Sequence, residues 1–495
     1  QKEFPEIFAK GGFDVIIGNP PYVNVSLMPV KEKEFYKNKY ETFYKRSDLF
    51  SLFLELASLK LTTKGYVSFI IPSIILNNLS YKQIRDKLLY NKWLSGVCYT
   101  GGKVFSDATV ETVILIINKK GTKNITLSNA LNFSNITSQT VNTNFFEKYQ
   151  NTISVSSSES NSIFDKIFNE KFGEVGCHFN VFQGIVTGNN SAYIFETEEQ
   201  IKNANIDEEL LVPILLGRDI GKWQIKDDTK RILYLDGNFN IEEFPKTKIW
   251  LSQFKENLEK RRECLRGVIP WFSLQWARDK NELDKKNKIL LQRTRNESLK
   301  TRIVATIDEV GIYGMESLIF LTPKSENISP HYFVAILNSK LINYLFATKF
   351  LNLAVKGDYL KTLRFPIIYD SRKLELLSKK MLELNKLSQK INTNFLKYIL
   401  SNYEINEYNN KFSECLKSDF RDFTNELNKT LKANNIKSLS KKEEIEWIDL
   451  FEEKRTEFIS LNDEIQRTEN KIDQIVYSIY GLTSEEINIV ENANN

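Results

Sequence analysis

Residues 11–24 read GGFDVIIGNPPYVN, and the fold of the N-terminal region turns on how this stretch is understood. Asp14-Val15-Ile16-Ile17 has the apolar run of a buried strand. Pro20 and Pro21 then remove two backbone donors and fix two φ angles, so the strand ends before them and the backbone stiffens. Asn19 and Tyr22 are therefore held at the carboxyl end of a strand, where open α/β sheets bind their ligands.

Working outward, residues 1–120 alternate strand and helix. RSDLFSLFLELASLKL (46–61) and SYKQIRDKLLYN (80–91) have helical spacing, and GYVSFIIP (65–72), LSGVCYT (94–100) and VETVILIINKK (110–120) read as strands. That alternation predicts an α/β fold with a mainly parallel sheet covered on both faces. The last two strands, joined by a short loop, are expected to form an antiparallel pair at one edge. Residues 121–175 are polar and read as an irregular connector. Residues 176–366 are expected to form an α+β domain of short strands and turns. Residues 371–495 read as a tail of antiparallel helices with roughly heptad apolar spacing.

The chain has 495 residues, 41% apolar and 26% charged, as a multidomain globular protein does. Four cysteines without CxxC spacing and two histidines argue against a structural metal site and fit a reducing cytoplasm. Chemistry must then come from carboxylates, amides, aromatics or main chain. The net charge of +5 is mild, but residues 261–302 hold 12 Lys/Arg against 5 Asp/Glu, with Trp271, Phe272 and Trp276 interleaved. This stretch reads either as a solvated basic face beside core aromatics or as a surface that follows phosphates and stacks on bases. On the second reading Arg278, Arg293 and Arg295 contact DNA and Trp276 is a wedge.

Asn19-Pro20-Pro21-Tyr22 suits one reaction well. The exocyclic N6 of adenine is a poor nucleophile because its lone pair is delocalised into the ring. Acceptors bonded to both its hydrogens favour tetrahedral geometry and free that pair. Asn19 Oδ1 can be one acceptor and the Pro20 carbonyl, aimed by the proline pair, the other. Tyr22 offers a flat face to a base swung out of the duplex. The methyl donor would be S-adenosylmethionine, and positioning does most of the work. A chance match to this tetrapeptide in so long a chain has odds of about 1 in 100.

These residues resemble the second half of a gamma-class N6-adenine DNA methyltransferase, of the kind found in bifunctional type IIG restriction–modification enzymes. Asn19–Tyr22 corresponds to motif IV, SDLFSLFLE (47–55) to motif V, GYVSFIIPSIIL (65–76) to motif VI and GGKVFSDATVETVILI (101–116) to motif VIII. The resemblance implies half of a Rossmann-like sheet, with Phe53 and Asp48 beside the cofactor and Phe105 against the flipped base. Phe53 can equally be core, Phe105 a hairpin anchor and Asp48 a helix N-cap. FQGIVTGNNSAYIF (182–195), LLGRDIGKW (215–223) and KILLQRTRN (288–296) are similar to the TaqI-like specificity domain, a target-recognition domain. IDQIVYSIYGLTSEE (472–486) resembles the helical tail of the same enzymes.

In that family a Gly-rich turn and an acidic residue that hold the cofactor precede motif IV, yet only 18 residues stand before Asn19. The expectation is that an N-terminal fragment or subunit supplies those strands and that the edge of the DVIIG strand is exposed without it. The expected function is site-specific adenine methylation of double-stranded DNA. One alternative is a catalytically silent DNA-binding module that needs a partner chain. A more remote one is a protein glutamine N-methyltransferase, since Asn-Pro-Pro-Tyr serves that chemistry too.

Overall fold

The computed structural model describes all residues except 1–2, 45–46, 103, 106–109, 132–133, 135, 150, 156–157, 227–228, 295–300, 350–353, 368–370 and 495. The chain forms two compact units, Gln1–Phe168 with Leu345–Asn352, and Asn169–Tyr344 with Leu353–Asn495.

In the first unit the elements run α1 (Pro5–Ala9), β1 (Phe13–Gly18), α2 (Val30–Lys39), α3 (Leu49–Lys60), β2 (Leu61–Pro72), α4 (Lys82–Tyr90), β3 (Leu94–Gly101), β4 (Thr112–Asn118), β5 (Asn124–Asn129), β6 (Thr137–Asn142) and α5 (Ser158–Ile167). The sheet order is β1-β2-β4-β3-β5-β6. β1–β2 and β3–β5 are parallel, whereas β2–β4, β4–β3 and β5–β6 are antiparallel. The sheet is thus mixed rather than mainly parallel, because β4 inserts between β2 and β3. The expected antiparallel pair forms, but it lies inside the sheet and not at an edge. Part of the expected connector is the hairpin β5–β6, whose Ile125 and Leu127 are buried in the core of the sheet.

Burial alternates along β2 as the pleat requires. Val67, Phe69 and Ile71 join Phe50 and Leu54 of α3 and Ile84 and Leu88 of α4 in one core. The opposite face is largely open. Val15 is 57% exposed, Ile17 77%, Tyr66 45% and Ile116 37%. The register pairs Val15 with Tyr66 and Ile17 with Ser68, so these side chains share that face. Two expectations are corrected here: the sheet is covered on one face, and the DVIIG strand is only half-buried. For β1 the reason is positional, since among the described residues it pairs with β2 alone, which is the exposed edge expected from the sequence.

The second unit contains two four-stranded sheets. One runs Tyr313–Gly314, Leu211–Leu215, Arg231–Leu233, Ile194–Phe195; the other runs Ala305–Asp308, Lys288–Gln292, Leu318–Pro323, Phe179–Gln183 and is antiparallel throughout. The helices Arg372–Asn402 and Lys441–Tyr480 lie antiparallel: Lys380 pairs with Glu464 at 2.6 Å, while Phe395 meets Phe451 and Tyr403 stacks on Trp447. They are fastened to the sheets. Glu469 accepts from Lys222 at 2.7 Å and from the Trp223 indole at 3.2 Å, and Asp473 accepts the Lys340 amide at 2.8 Å.

Part of the basic stretch serves the interior. Lys288 is fully buried, 2.6 Å from Asp308, which also accepts the amides of Val310, Gly311 and Ile312. Asp308→Ala is expected to cost about 3–5 kcal/mol, because it leaves the buried Lys288 ammonium with the Leu283 and Lys285 carbonyls but without its counter-charge. Lys288→Met should cost less, since Asp308 keeps three amide donors. Urea unfolding followed by tryptophan fluorescence checks the order, and equal losses would contradict it.

Candidate catalytic loop and nucleic-acid interface

β1 delivers Asn19 into solvent and Pro20 into a buried position. Among the described residues no group donates to Asn19 Oδ1 or to the Pro20 carbonyl. Both acceptors are therefore unengaged among the described residues, Asn19 on the surface and Pro20 buried behind it. Tyr22 is tied down instead. Its hydroxyl donates to the Ile70 carbonyl of β2 at 3.0 Å, and its ring meets Phe50 edge-on at 6.3 Å. Burial raises its pKa, so it stays a neutral donor.

The segment is held from behind by Asp48. The backbone pairs Asn24 with Asp48: the Val25 amide donates to Ser47 O and the Leu49 amide to Val23 O, each at 2.9 Å. Asn24 Nδ2 donates to Asp48 Oδ1 at 2.9 Å, and the buried Tyr81 hydroxyl donates to Asp48 Oδ2 at 2.7 Å. Asn24 Oδ1 in turn accepts the Ser26 amide at 2.9 Å. Burial, and then the bond to Asp48, hold Tyr81 far above the ordinary tyrosine range. Its ring stacks on Phe50 at 5.0 Å, closing a path from Tyr81 to Phe50 to Tyr22. Asp48 occupies the N-cap position of α3, yet its side chain makes no cap bond. The N-cap reading is corrected, because both carboxylate oxygens are engaged elsewhere.

Phe53 is 39% exposed, while Phe50 and Leu54 on the same helix are wholly buried. Helical spacing alone places it in the core; the structure places it outside. Phe105 lies half-buried between β3 and β4. Asn24 and Tyr81 escaped the sequence reading, since nothing in the pattern links positions 24, 48 and 81 before folding.

In the second unit Trp271 and Phe272 pack against the core, whereas Trp276 is 46% exposed. The Arg278 guanidinium lies 5.6 Å from the Trp276 ring centre, and its Nε donates to Gly184 O at 2.8 Å. Arg278 has φ +70°, a strained backbone for a residue with a side chain. Burial lowers its pKa. Arg293 is half-buried at the end of strand Lys288–Gln292, its carbonyl accepting the Val355 amide at 2.7 Å. Arg295 lies outside the described residues.

Residues 1–105 match the family described as Eco57I restriction-modification methylase, and residues 212–367 match the TaqI-like C-terminal specificity domain. Residues 369–476 match a domain of unknown function (DUF8810). The chain is 27% identical over 461 residues to the putative type II restriction enzyme and methyltransferase RM.MjaORFECS2P of Methanocaldococcus jannaschii, covering 88% of this chain and 34% of that protein. It is 31% identical over 210 residues to the type II restriction enzyme and methyltransferase RM.Eco57I of Escherichia coli, covering 39% of this chain and 20% of that protein. To the type II methyltransferase M.BstVI of Geobacillus stearothermophilus it is 23% identical over 394 residues, covering 72% and 67%. The chain therefore spans about a third and a fifth of the first two relatives. Its fold matches the Type IIL restriction-modification enzyme MmeI, solved in complex with DNA, with a TM-score of 0.58 at 13% identity over 97% of this chain and 56% of that one. The resemblance to type II restriction–modification enzymes and methyltransferases is borne out on both matched segments. No helix among the described residues is long and apolar enough to cross a membrane.

Asp48→Ala leaves Asn24 and Tyr81 without their acceptor and is expected to cost about 1–3 kcal/mol. Amide exchange over residues 22–26 should accelerate with it. Phe53→Ala, at an exposed position, should stay within about 0.5 kcal/mol of the parent. Unchanged exchange in Asp48→Ala would remove the carboxylate from the account of loop order.

Proposed function

We propose that this chain, a stretch of a type II restriction–modification methyltransferase, carries the target-base half of the catalytic centre and the DNA-reading region of a site-specific adenine methyltransferase. The observation that carries this reading is the pair of unengaged acceptors, Asn19 Oδ1 and the Pro20 carbonyl, on a stiff segment at the carboxyl end of β1. Each accepts one hydrogen of the N6 amino group. With both hydrogens held, the nitrogen lone pair would be freed for attack on a methyl supplied by the bound donor. The surplus N6 proton leaves to water. Tyr22 and Phe105 bracket the extruded base.

When bound, S-adenosylmethionine supplies the methyl and a neutral thioether leaving group. The described residues fit that donor in part. The exposed Phe53 ring, in the first half of α3, offers a wall for an adenine moiety, whereas Asp48 at the N-cap of that helix has both carboxylate oxygens engaged by Asn24 and Tyr81. Among the described residues of the first unit, no glycine-rich turn both follows a strand and opens a helix. We infer that a further segment supplies that turn, as the first strands of a Rossmann-like sheet pairing along β1. The exposed Val15 and Ile17 support this, since such a segment would cover them. The same open edge also favours a second reading, in which the chain by itself binds DNA and is catalytically silent.

Double-stranded DNA would be read by the second unit, with Arg278, Arg293 and Arg295 toward phosphates or bases and Trp276 stacked or wedged. A chain that works on DNA in this way would act in the cytoplasm.

With the upstream strands of a longer relative supplied in trans, Asn19→Ala is expected to reduce N6-methyladenine formation by about 100-fold or more. Duplex binding should stay within a few-fold. Mass spectrometry of digested nucleosides reads the product. An unchanged N6-methyladenine yield from Asn19→Ala, or a methyl found on cytosine, would overturn the reading.

A further inference from the structure

The turn Leu265–Val268 presents two apolar side chains to solvent, Leu265 at 73% and Val268 at 70% exposure. Such exposure on a loose loop would be unremarked, but this turn is rigid. The Leu265 amide donates to Arg261 O, Gly267 to Cys264 O and Val268 to Glu263 O, each at 2.9 Å. Gly267 sits at φ +68° to allow the reversal.

The base of the turn is fixed more firmly still. Arg261, 8% exposed, donates to the carbonyls of Leu258 at 2.9 Å, Thr187 at 2.9 Å, Ser273 at 2.8 Å and Trp271 at 2.6 Å. Glu263, also 8% exposed, accepts Gln275 Nε2 at 2.8 Å and Arg262 at 3.0 Å. Gln275 directly precedes Trp276, whose backbone pairs with Val186. The apolar tip and the exposed Trp276–Arg278 pair therefore share one scaffold. Arg266, at the tip, is exposed and makes no ion pair or hydrogen bond through its guanidinium among the described residues.

We infer that the Leu265–Val268 turn is a wedge that enters a groove of bound duplex DNA, Leu265 and Val268 prying at a base step while Arg266 meets a flanking phosphate. The occupant follows from size and charge. Two side chains cannot furnish the roughly 800 Å² per partner of a stable protein interface, but they match the apolar wedges with which proteins kink a duplex. A free guanidinium beside them suits a phosphate. The inference rests on the proposed DNA reading and adds the element that deforms the duplex.

The test uses the full chain and a 40-bp duplex that the wild type enriches from a random-sequence pool, with dyes at both ends to report bending. Leu265→Ser/Val268→Ser is expected to fold like the parent and to keep its salt slope. It should bind about 10-fold more weakly and lose the bend. Where serine lowers stability, Leu265→Ala/Val268→Ala takes its place. Arg266→Ala should reduce the log–log salt slope by about one. A wild type that binds and bends the duplex, with a variant that does both equally well, overturns the wedge alone. A wild type that enriches no duplex overturns the wedge together with the DNA reading. Self-association of the wild type in sedimentation, abolished in the variant, would assign the tip to contacts between copies instead.

Discussion

Both oxygens of the Asp48 carboxylate are committed, one to Asn24 and one to Tyr81, and on that commitment depends the placement of the segment after β1. The two prolines stiffen residues 19–22 locally, but stiffness does not by itself fix a direction. Asp48 does so from behind, while the Tyr22 hydroxyl anchors the ring end to β2. The consequence is selective satisfaction. The groups that hold the segment are hydrogen-bonded, and Asn19 Oδ1 and Pro20 O accept nothing among the described residues. Preorganised, unengaged acceptors of this kind act where charge or geometry changes during reaction.

Charge in the second unit divides by use. Arg261 and Lys288 belong by composition to the basic stretch but are internal fasteners, the first to carbonyls and the second to Asp308. Arg262 and Lys285 are partnered by Glu263 and Glu282. Among the described residues, what remains for an external partner is smaller than the count of basic residues suggests: Arg266, Lys280 and Lys286 lie exposed, Arg293 and Arg302 are half-buried, and Arg278 lies stacked on Trp276. That Arg266 and Arg278 share the scaffold braced by Arg261 and Glu263 says more than net charge does.

Much of this was legible in the sequence. The strand before Asn19 follows from its apolar run, and the helices around Phe50 and Leu88 from their periodicity. The exposure of Val15 and Ile17 was not legible in those four residues, because an apolar run reads alike whether its neighbours are present or missing. Residues 124–129 and 137–142 pair as a hairpin although, among the described residues from 124 to 142, only Ile125, Leu127 and Ala130 are buried, too few to outweigh the Ser, Asn and Thr around them. Bonds between positions 24, 48 and 81 need the fold before they can be seen. Composition likewise cannot separate Arg261 from Arg266, five residues away and opposite in role.

The central proposal is that a further segment pairs along β1, whose outer edge has no partner among the described residues, and completes the sheet of the first unit. Hydrogen exchange of the β1 amides, in the chain alone and with the upstream strands of a longer relative added, tests it most directly. The amides of residues 13–18 that point away from β2 should exchange at nearly unprotected rates in the chain alone and slow by orders of magnitude on addition. Slow exchange at those amides without the added strands, or no change with them, would contradict the account.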